Sequence, residues 1–323
     1  MEKFIFKWLL LLPAFSASSA LFAQSTYLSG EQTRYQHDGL TLSTSLGYLG
    51  GKAKENVYGD GRQLSQVDWK IKNAAIIKGQ LNYDLLPWLS LNAQGWTTLA
   101  KGSSHMDDYD WFNPDSSSPS EHSVSPTRLN YANQYDLSVR GWVMNEPTFK
   151  FGPMAGFQQS RYSFTAHDGS YNYSGRNDDG TINPDLPRLQ GTFNGPVIGY
   201  KQTFSAPYIG LAGFYTVGKF EFSGLVKYSN WVKAKDYDMH YLRATDFQSE
   251  AHNGRLWGAE ITAGYNVTPV AQVYVEANYS RFTQARGDMV VRDYNAGEES
   301  VNSNAEGIEN RTYSYMMGVK YVF

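Results

Sequence analysis

The sequence predicts an all-β protein, a ten-stranded antiparallel transmembrane β-barrel of the outer-membrane type with long extracellular loops. Three observations support this fold class. Apolar and polar residues alternate over long stretches, short and long connections alternate between these stretches, and the last one ends on an aromatic residue. Barrels in outer membranes share these features, because each strand turns one face to lipid and the other to the lumen.

Residues 1–23 have the pattern of a secretory signal peptide. Lys3 and Lys7 precede an apolar run that begins at Trp8, and small residues follow it. A membrane anchor is the alternative, but the apolar run is too short to cross a bilayer. We expect cleavage after Ala23, with Ala20 as the second choice, and a single barrel domain over residues 24–323.

The composition excludes several classes of protein. The chain has 28 basic and 31 acidic residues among 323, so it lacks the positive charge excess of a nucleic-acid-binding protein. It has no cysteine, so disulfides cannot stabilise it. Its 24 tyrosines and 8 tryptophans suit the aromatic girdles of a membrane barrel. Beyond the signal no apolar segment approaches the roughly 20 residues of a transmembrane helix.

Alternation is clearest in the segment 63–83. One parity is mostly apolar and the other mostly polar over a length greater than that of an ordinary globular strand, which disfavours a soluble β-sandwich. The apolar set, which we expect to face lipid, is Val67, Trp69, Ile71, Ala75, Ile77, Leu81 and Tyr83.

Alternation and turn residues together predict ten strands and four long loops. The strands are expected at 40–58, 63–83, 89–101, 129–145, 149–166, 196–217, 220–235, 256–267, 271–286 and the C-terminus, and the long loops at 102–128, 167–190, 241–254 and 287–307. Pro207 fits least well, because it falls inside a strand. The C-terminal strand is the clearest signal: Tyr313, Tyr315 and Met317 begin an outward face that ends on Phe323.

Two acidic clusters follow strands that run in the same direction. Asp108 and Asp110 lie in the loop after the third strand, and Asp236, Asp238 and His240 lie at the end of the seventh. Carboxylates at alternate positions share a face if the chain is extended. With the N-terminus in the periplasm, both clusters lie at the outer rim, where the first strand also ends.

These clusters are suited to the activation of water. Asp238 could orient His240 and raise its basicity, and water held between His240 and the Asp108/Asp110 pair is the simplest mechanism. Solvated loop acids or a Ca²⁺ site formed with Asp107 are the alternatives. A Zn²⁺ site is disfavoured, because His240 has no second histidine or thiolate nearby. We expect neither a metal nor a cofactor.

Parity presents one difficulty for a shared site. Phe220, Phe222, Val226, Tyr228 and Val232 form the expected lipid face of the seventh strand, and the acids at 236 and 238 share their even parity. A regular strand would point these acids outward. We therefore predict a β-bulge or register break between Val232 and Asp236, because one extra residue reverses the facing of all later residues.

Stretches along nearly the whole mature chain match one known family. They are GKAKE at 51–55, QLSQVDWKIKNAAIIKG at 63–79, GWTTL at 95–99, MDDYDW at 106–111, LNYAN at 129–133, SRYSFTA at 160–166, IGYKQ at 198–202, PYIGL at 207–211, the cluster at 236–241 and GIEN at 307–310. By these stretches the sequence resembles the omptins, a family of outer-membrane endoproteases of Gram-negative bacteria. MDDYDW is especially similar to the plasminogen-activator branch. That hexapeptide alone does not imply plasminogen activation, because loops decide which macromolecules bind.

The resemblance implies an outer-membrane endopeptidase, exposed at the cell surface, that cleaves polypeptides next to or between basic residues. By position, Asp108 and Asp110 match the catalytic Asp pair, and Asp238 and His240 match the Asp–His dyad. The pocket for the basic residue before the scissile bond is matched by Glu55 and Asp236 at its base and by Met106 and Ile198 at its walls. Glu121 matches an acid that contacts the residue after the bond.

The resemblance also implies lipopolysaccharide as an activator, bound on the outer wall of the barrel. Arg161 of that motif is present, whereas Phe157, Gln159 and Thr203 replace Tyr, Glu and Arg. Lipid phosphates prefer basic partners, so we expect weaker or differently arranged binding. The competing function is that of an adhesin or invasin acting through its loops. A passive porin is disfavoured, because ten strands leave little lumen.

Overall fold

The computed structural model describes residues 39–323, so the predicted signal peptide lies outside the described residues. Twelve strands in these residues form one antiparallel sheet. They are β1 (Leu40–Gly59), β2 (Arg62–Leu86), β3 (Leu89–Thr98), β4 (Gly102–Asp110), β5 (Glu121–Gly141), β6 (Met144–Glu146), β7 (Phe149–Tyr173), β8 (Leu189–Val217), β9 (Phe220–His240), β10 (Thr245–Asn266), β11 (Ala271–Asp293) and β12 (Glu298–Val322). A 3₁₀ helix spans Tyr241–Arg243. From residue 39 onward, no helix is long and apolar enough to cross a membrane.

The sheet closes into a ring with ten strand positions. The last strand, β12, pairs with β1 from Val322↔Thr41 to Glu306↔Val57. Two elements, β3 and β4, share one position, because each pairs with β2 on one side and β5 on the other. The three-residue β6 only extends the turn before β7. The predicted ten-stranded barrel is therefore confirmed, with its third strand interrupted at residues 99–101.

A lipid-facing belt surrounds one end of the barrel. Leu42 and Leu46 of β1 and Met317 of β12 are exposed apolar side chains, as their alternation predicts. The belt ends at a level marked by Tyr48 and other exposed aromatic residues, namely Trp257, Tyr279 and Tyr313. Inside it the lumen contains ion pairs, such as that of Lys78 with Glu276 at 2.7 Å. Above it the strands continue outside the membrane.

The facing of the strands reverses above the belt. In β2, Ile77 faces outward while Trp69 is fully buried, although both have the parity that was expected to face lipid. The register between β1 and β2 shifts between Leu49 and Gly51, where β2 has one extra residue. An extra residue of this kind moves later side chains to the other face. The expectation that Val67, Trp69 and Ile71 face lipid is therefore wrong.

Burial explains why this reversal is favourable. In the membrane the apolar face contacts lipid, whereas above it both sides meet water and apolar side chains pack inside. Trp69 stacks on Tyr200 with ring centroids 5.1 Å apart, and Phe204 stacks on Phe282 at 4.3 Å. These inward rings give the outer half of the barrel its own apolar core.

The register break in β9 exists but lies earlier than predicted. In the pairing of β8 with β9, Ser205 pairs with Lys233 and Ile209 pairs with Tyr228, so β9 has one extra residue between them. Val232 already faces inward with 1% exposure, and its assignment to the lipid face is wrong. Pro207 lies opposite this break, where β8 has no partner residues in β9, which explains why the strand tolerates a proline.

The strands extend further beyond the membrane than the sequence predicts. Residues 102–110 and 121–128 of the first expected loop are strand, as are most of 245–254, 287–293 and 298–307. Above the membrane apolar side chains turn inward and polar residues also lie on the inner face, so the hydrophobic period of the membrane segment does not continue in phase. The acidic clusters therefore lie on strands, which hold their side chains more rigidly than loops would.

Candidate active site

The first half of the site is on β4. Asp108 and Asp110 share the inner face of this strand with Met106, which is fully buried. Asp107 lies on the outer face and forms a 2.7 Å ion pair with Lys70. The prediction that the Asp pair shares a face is confirmed, but its placement in a loop is wrong. A Ca²⁺ site combining Asp107 with this pair is excluded, because Asp107 points to the opposite side.

The second half of the site is on β9. Nε2 of His240 lies 2.7 Å from Oδ2 of Asp238, which is 1% exposed. The imidazole also packs edge-on against Phe247 with ring centroids 5.1 Å apart. The two side chains reach the inner face because of the extra residue earlier in β9. Asp238 and the ring of Phe247 together fix the orientation of the imidazole.

The two halves are electrostatically coupled. Burial raises the pKa of Asp108 well above its usual value, and the charges of Asp110 and Asp238 add to the rise. Burial raises the pKa of Asp110 to about 6, and a hydrogen bond from Ser65 opposes this rise. The charge of His240 also acts on Asp110. The acids of β4 and the dyad of β9 therefore share one partly desolvated cleft at the mouth of the barrel.

Arg243 is a member of this cleft that the sequence analysis missed. Its Nη2 lies 3.4 Å from Nε2 of His240, and its guanidinium lies over the ring of Phe247 at 5.1 Å. The 3₁₀ turn returns the chain sharply, and Ala244 adopts a left-handed conformation with φ 49°. The only sequence signal was a basic residue three positions after His240, in a segment expected to be a long loop. The guanidinium opposes the rise in pKa of both Asp108 and Asp110.

An acidic pocket lies next to the cleft. Glu55 on β1 and Asp236 on β9 approach each other across the barrel, and the hydroxyl of Tyr200 donates to Oδ2 of Asp236 at 3.3 Å. Met106 and Ile198 are almost fully buried. The pairing of Ile198 with His240 and of Met106 with Trp69 places both beside this interior. The structure thus brings Glu55 and Asp236 together and buries Met106 and Ile198 in the same outer half of the barrel.

Glu306 on β12 is a third acid in this pocket, which the sequence analysis also missed. Its carboxylate, with those of Glu55 and Asp236, offers ligand atoms that all lie within 4.8 Å of one another. It precedes the GIEN stretch but falls in the segment 287–307, which was expected to be a loop. Three acids at this spacing could bind a basic side chain or a divalent cation.

Of the two remaining residues that the resemblance names, Arg161 lies away from this cleft, whereas Glu121 borders it, since it pairs with Asp110 and its charge raises the pKa of Asp108 and Asp110. Arg161 is exposed on the outer wall of β7, and its Nε donates to Oδ1 of Asn133 at 3.1 Å. The carboxylate of Glu121 lies inside the barrel and pairs with Arg176 from the segment between β7 and β8. Glu121 is thus already neutralised by a residue of the same chain.

The chain matches one protein family and several of its members. The family model of the omptins covers residues 36–323. The plasminogen activator of Yersinia pestis is 44% identical over 290 residues, which cover 88% of this chain and 90% of that protein. The outer membrane protease OmpP of Escherichia coli strain K12 is 44% identical over 291 residues, again 88% and 90% of the two chains. The crystal structure of the outer membrane protease OmpT from Escherichia coli has a TM-score of 0.83 at 43% identity, covering 89% of this chain and 97% of that one.

The fold and the cleft define a class, that of outer-membrane β-barrels with a protease-like site at the outer mouth. The chain belongs to the omptin family. Several relatives are named as outer-membrane proteases, which supports a protease function here and places the protein in the outer membrane.

Proposed function

We propose that this protein is an outer-membrane endopeptidase that cleaves polypeptides next to or between Arg and Lys residues. The observation that carries the proposal is the His240–Asp238 pair facing Asp108 and Asp110 across one cleft, with an acidic pocket beside it. General-base catalysis requires a base within reach of the water that it activates. A basic side chain in the pocket would hold the next peptide bond near the cleft.

The Asp238–His240 dyad removes a proton from water, and Asp108 of the Asp pair orients that water. Asp238 accepts the Nε2–H of His240, which leaves Nδ1 as the acceptor for a proton from water. Asp108 accepts the second hydrogen of that water and so fixes its direction of attack. The water oxygen bonds to the carbonyl carbon, His240 takes the proton, and the tetrahedral intermediate forms. His240 then gives the proton to the leaving nitrogen as the C–N bond breaks.

Asp110 and Arg243 regulate the charge in the cleft. Asp110 adds a second negative charge behind Asp108, which favours the imidazolium that forms when His240 takes the proton. Arg243 offsets this charge and so limits the rise in the pKa of Asp108. The balance between these two charges helps to set the pH range in which Asp108 is ionised.

The acidic pocket accounts for selection of basic residues. Glu55 and Asp236 present carboxylates to which a guanidinium or ammonium group donates charge-assisted hydrogen bonds. Met106 and Ile198 offer apolar contacts for the aliphatic stem of the same side chain. An uncharged side chain would leave the buried acids without a partner, which disfavours its binding.

Lipopolysaccharide is the proposed activator. Arg161 is an exposed cation on the outer wall of β7, where a lipid phosphate could accept its hydrogen bonds. Gln159 donates to Ser205 at 3.1 Å and carries no charge, so Arg161 is the charged residue that remains of the motif.

Cleavage of a short peptide tests the proposal. Refolded protein, with and without rough-type lipopolysaccharide, is given a peptide with a central Arg-Arg pair and a matched peptide with Gln-Gln. We expect cleavage at the Arg-Arg pair only, and faster with lipopolysaccharide. Equal cleavage of both peptides would contradict the proposed specificity. A folded protein that cleaves neither peptide but binds host cells would favour the adhesin function.

A further inference from the structure

Glu306 lies beside the two acids at the base of the proposed pocket, but it has no role in that pocket as described above. It pairs with Val57 on β1, two residues beyond Glu55, so both acids lie on the same inner surface. Asp236 reaches them from β9, which is not a neighbour of β1 or β12 in the sheet. The carboxyl oxygens of the three residues nevertheless lie within 4.8 Å of one another. The acids therefore meet across the interior of the barrel.

Glu306 is buried without a partner. Its exposure is 1%, and neither of its carboxylate oxygens forms a hydrogen bond, like Oε2 of Glu55. The backbone amides of Asn56 and Gly307 lie near it and lower its pKa somewhat without forming well-aligned bonds. Among residues 39–323, no Lys, Arg or His forms an ion pair with any of the three acids. Buried carboxylates are normally paired, so these oxygens point to a ligand that carries positive charge.

We propose that Glu306 is a specificity-determining residue, the third carboxylate that contacts the basic side chain bound before the scissile bond. This inference rests on the proposed function and adds a residue to its pocket. A guanidinium group has five N–H donors, whereas two carboxylates offer four oxygens, so a third carboxylate can accept a hydrogen bond that the other two leave unmade. Glu306 supplies acceptors from β12 to donors that Glu55 and Asp236 leave free.

A cation bound among the three acids would favour the loss of protons from them. Burial, followed by repulsion from neighbouring acids, raises the pKa of Glu55, Asp236 and Glu306. Three titratable groups face these acids: Asp108 on β4, Tyr200 on β8 and Asp238 on β9. The residues that face them from β10 and β11 are Ser249, Ala285 and Gly287, whose side chains do not titrate. A cation favours the ionised carboxylates, so binding of a basic side chain should strengthen as pH rises.

Replacement of Glu306 by Gln tests this role. We measure kcat and KM from pH 5.5 to 8.5 with an Arg-containing peptide for wild type, Glu306→Gln and Glu309→Gln. Glu309 has the same charge on the same strand but faces outward, so it is a matched control. Gln removes an unpaired buried acid, so the barrel should still fold.

We expect Glu306→Gln to raise KM about tenfold at pH 8, the effect of losing one strong charge-assisted contact, with kcat within about twofold of wild type. The decrease of KM with rising pH should become shallower, because one proton-binding group is gone and the other two repel each other less. Glu309→Gln should match wild type. A purely structural role for Glu306 would not change the pH dependence of KM.

Agmatine binding gives a second readout that does not depend on cleavage. Agmatine carries a guanidinium group, so it should bind wild type with release of protons into weakly buffered solution, and Glu306→Gln should release fewer. Unchanged KM, pH dependence and proton release in Glu306→Gln would overturn the inference and leave the proposed function intact. Absence of cleavage by wild type would overturn the proposed function, while agmatine would still test Glu306. Loss of cleavage in EDTA that Ca²⁺ restores would also overturn the inference, because the three acids would then hold a metal ion.

Discussion

Nε2 of His240 and Oδ2 of Asp238 lie 2.7 Å apart on the inner face of β9, and both residues face inward only because β9 contains one extra residue near Asn230 and Trp231. Asp238 is almost fully buried, so the imidazole replaces water as its hydrogen-bonding partner. The bulge and the dyad are therefore linked, since a regular strand would turn both side chains away from Asp108.

The pH dependence of kcat should reflect the acids of the cleft. Burial raises the pKa of Asp110 to about 6 and raises that of Asp108 as well. Both acids act as anions, so activity is complete above these pKa values and falls as pH decreases through them. We expect the acidic limb of kcat, measured with saturating peptide between pH 4 and 8, to have its midpoint near or above pH 6. A midpoint near pH 4, that of an ordinary aspartate, would contradict this prediction.

Replacement of Arg243 should move that limb to higher pH. Its guanidinium lowers the pKa of Asp108 and Asp110, so Arg243→Ala removes a charge that keeps them ionised. In Arg243→Ala we expect the midpoint of the acidic limb of kcat to move upward by about one pH unit. In Arg243→Lys we expect a smaller upward shift, because the positive charge is kept. An unchanged or lower midpoint in Arg243→Ala would show that Arg243 does not act on these acids.

Replacement of Glu55 should weaken selection for basic residues. Glu55→Gln preserves the size of the side chain but removes one carboxylate from the pocket base. We expect kcat/KM for the Arg-Arg peptide to fall about tenfold or more, with a much smaller change for the Gln-Gln peptide. An unchanged ratio between the two peptides would exclude Glu55 from the pocket.

Replacement of Arg161 tests the proposed lipid contact. Arg161→Ala should raise the lipopolysaccharide concentration for half-maximal activity severalfold, while kcat at saturation stays near wild type. Arg281→Ala is the control, because Arg281 is an exposed arginine on β11, away from β7 in the sheet. Equal effects of the two replacements would indicate general charge attraction and not a site at Arg161.

Much of the fold could be predicted from the sequence, because lipid imposes a strict two-residue period inside the membrane. The alternation at Tyr313, Tyr315 and Met317 predicted outward side chains, and all three are exposed. Above the membrane this period changes phase. Trp69 has the parity of Ile77 but packs inside, and the extra residue that causes this leaves no clear mark in the sequence.

The residues of the candidate site were likewise only partly predictable from the sequence. Asp108, Asp110, Asp238 and His240 could be chosen because strand order and family resemblance place them at one rim. Glu306 and Arg243 could not, because neither belongs to the two acidic clusters or to the positions to which the resemblance assigns a role. Glu306 joins the pocket only through the register of β12 with β1 and the approach of β9 across the barrel. Such contacts between distant strands depend on the closed ring and not on local sequence.

The central claim is that Asp108 and His240 act on the same water. Each replacement alone, Asp108→Ala or His240→Ala, should lower kcat by roughly 10²–10⁴-fold, the usual contribution of acid–base catalysis. Asp107→Asn on the outer face of β4 should retain wild-type activity. The folded barrel of every variant is checked by its far-UV circular dichroism and its resistance to unfolding in detergent.

The most direct test is kcat of the double variant Asp108→Ala/His240→Ala, measured beside the two single variants with the Arg-Arg peptide. Residues that act as a unit have non-additive effects, because removal of one disables the other. We therefore predict that the double variant is about as slow as the slower single variant. A double variant in which the two losses multiply would contradict a shared water between Asp108 and His240.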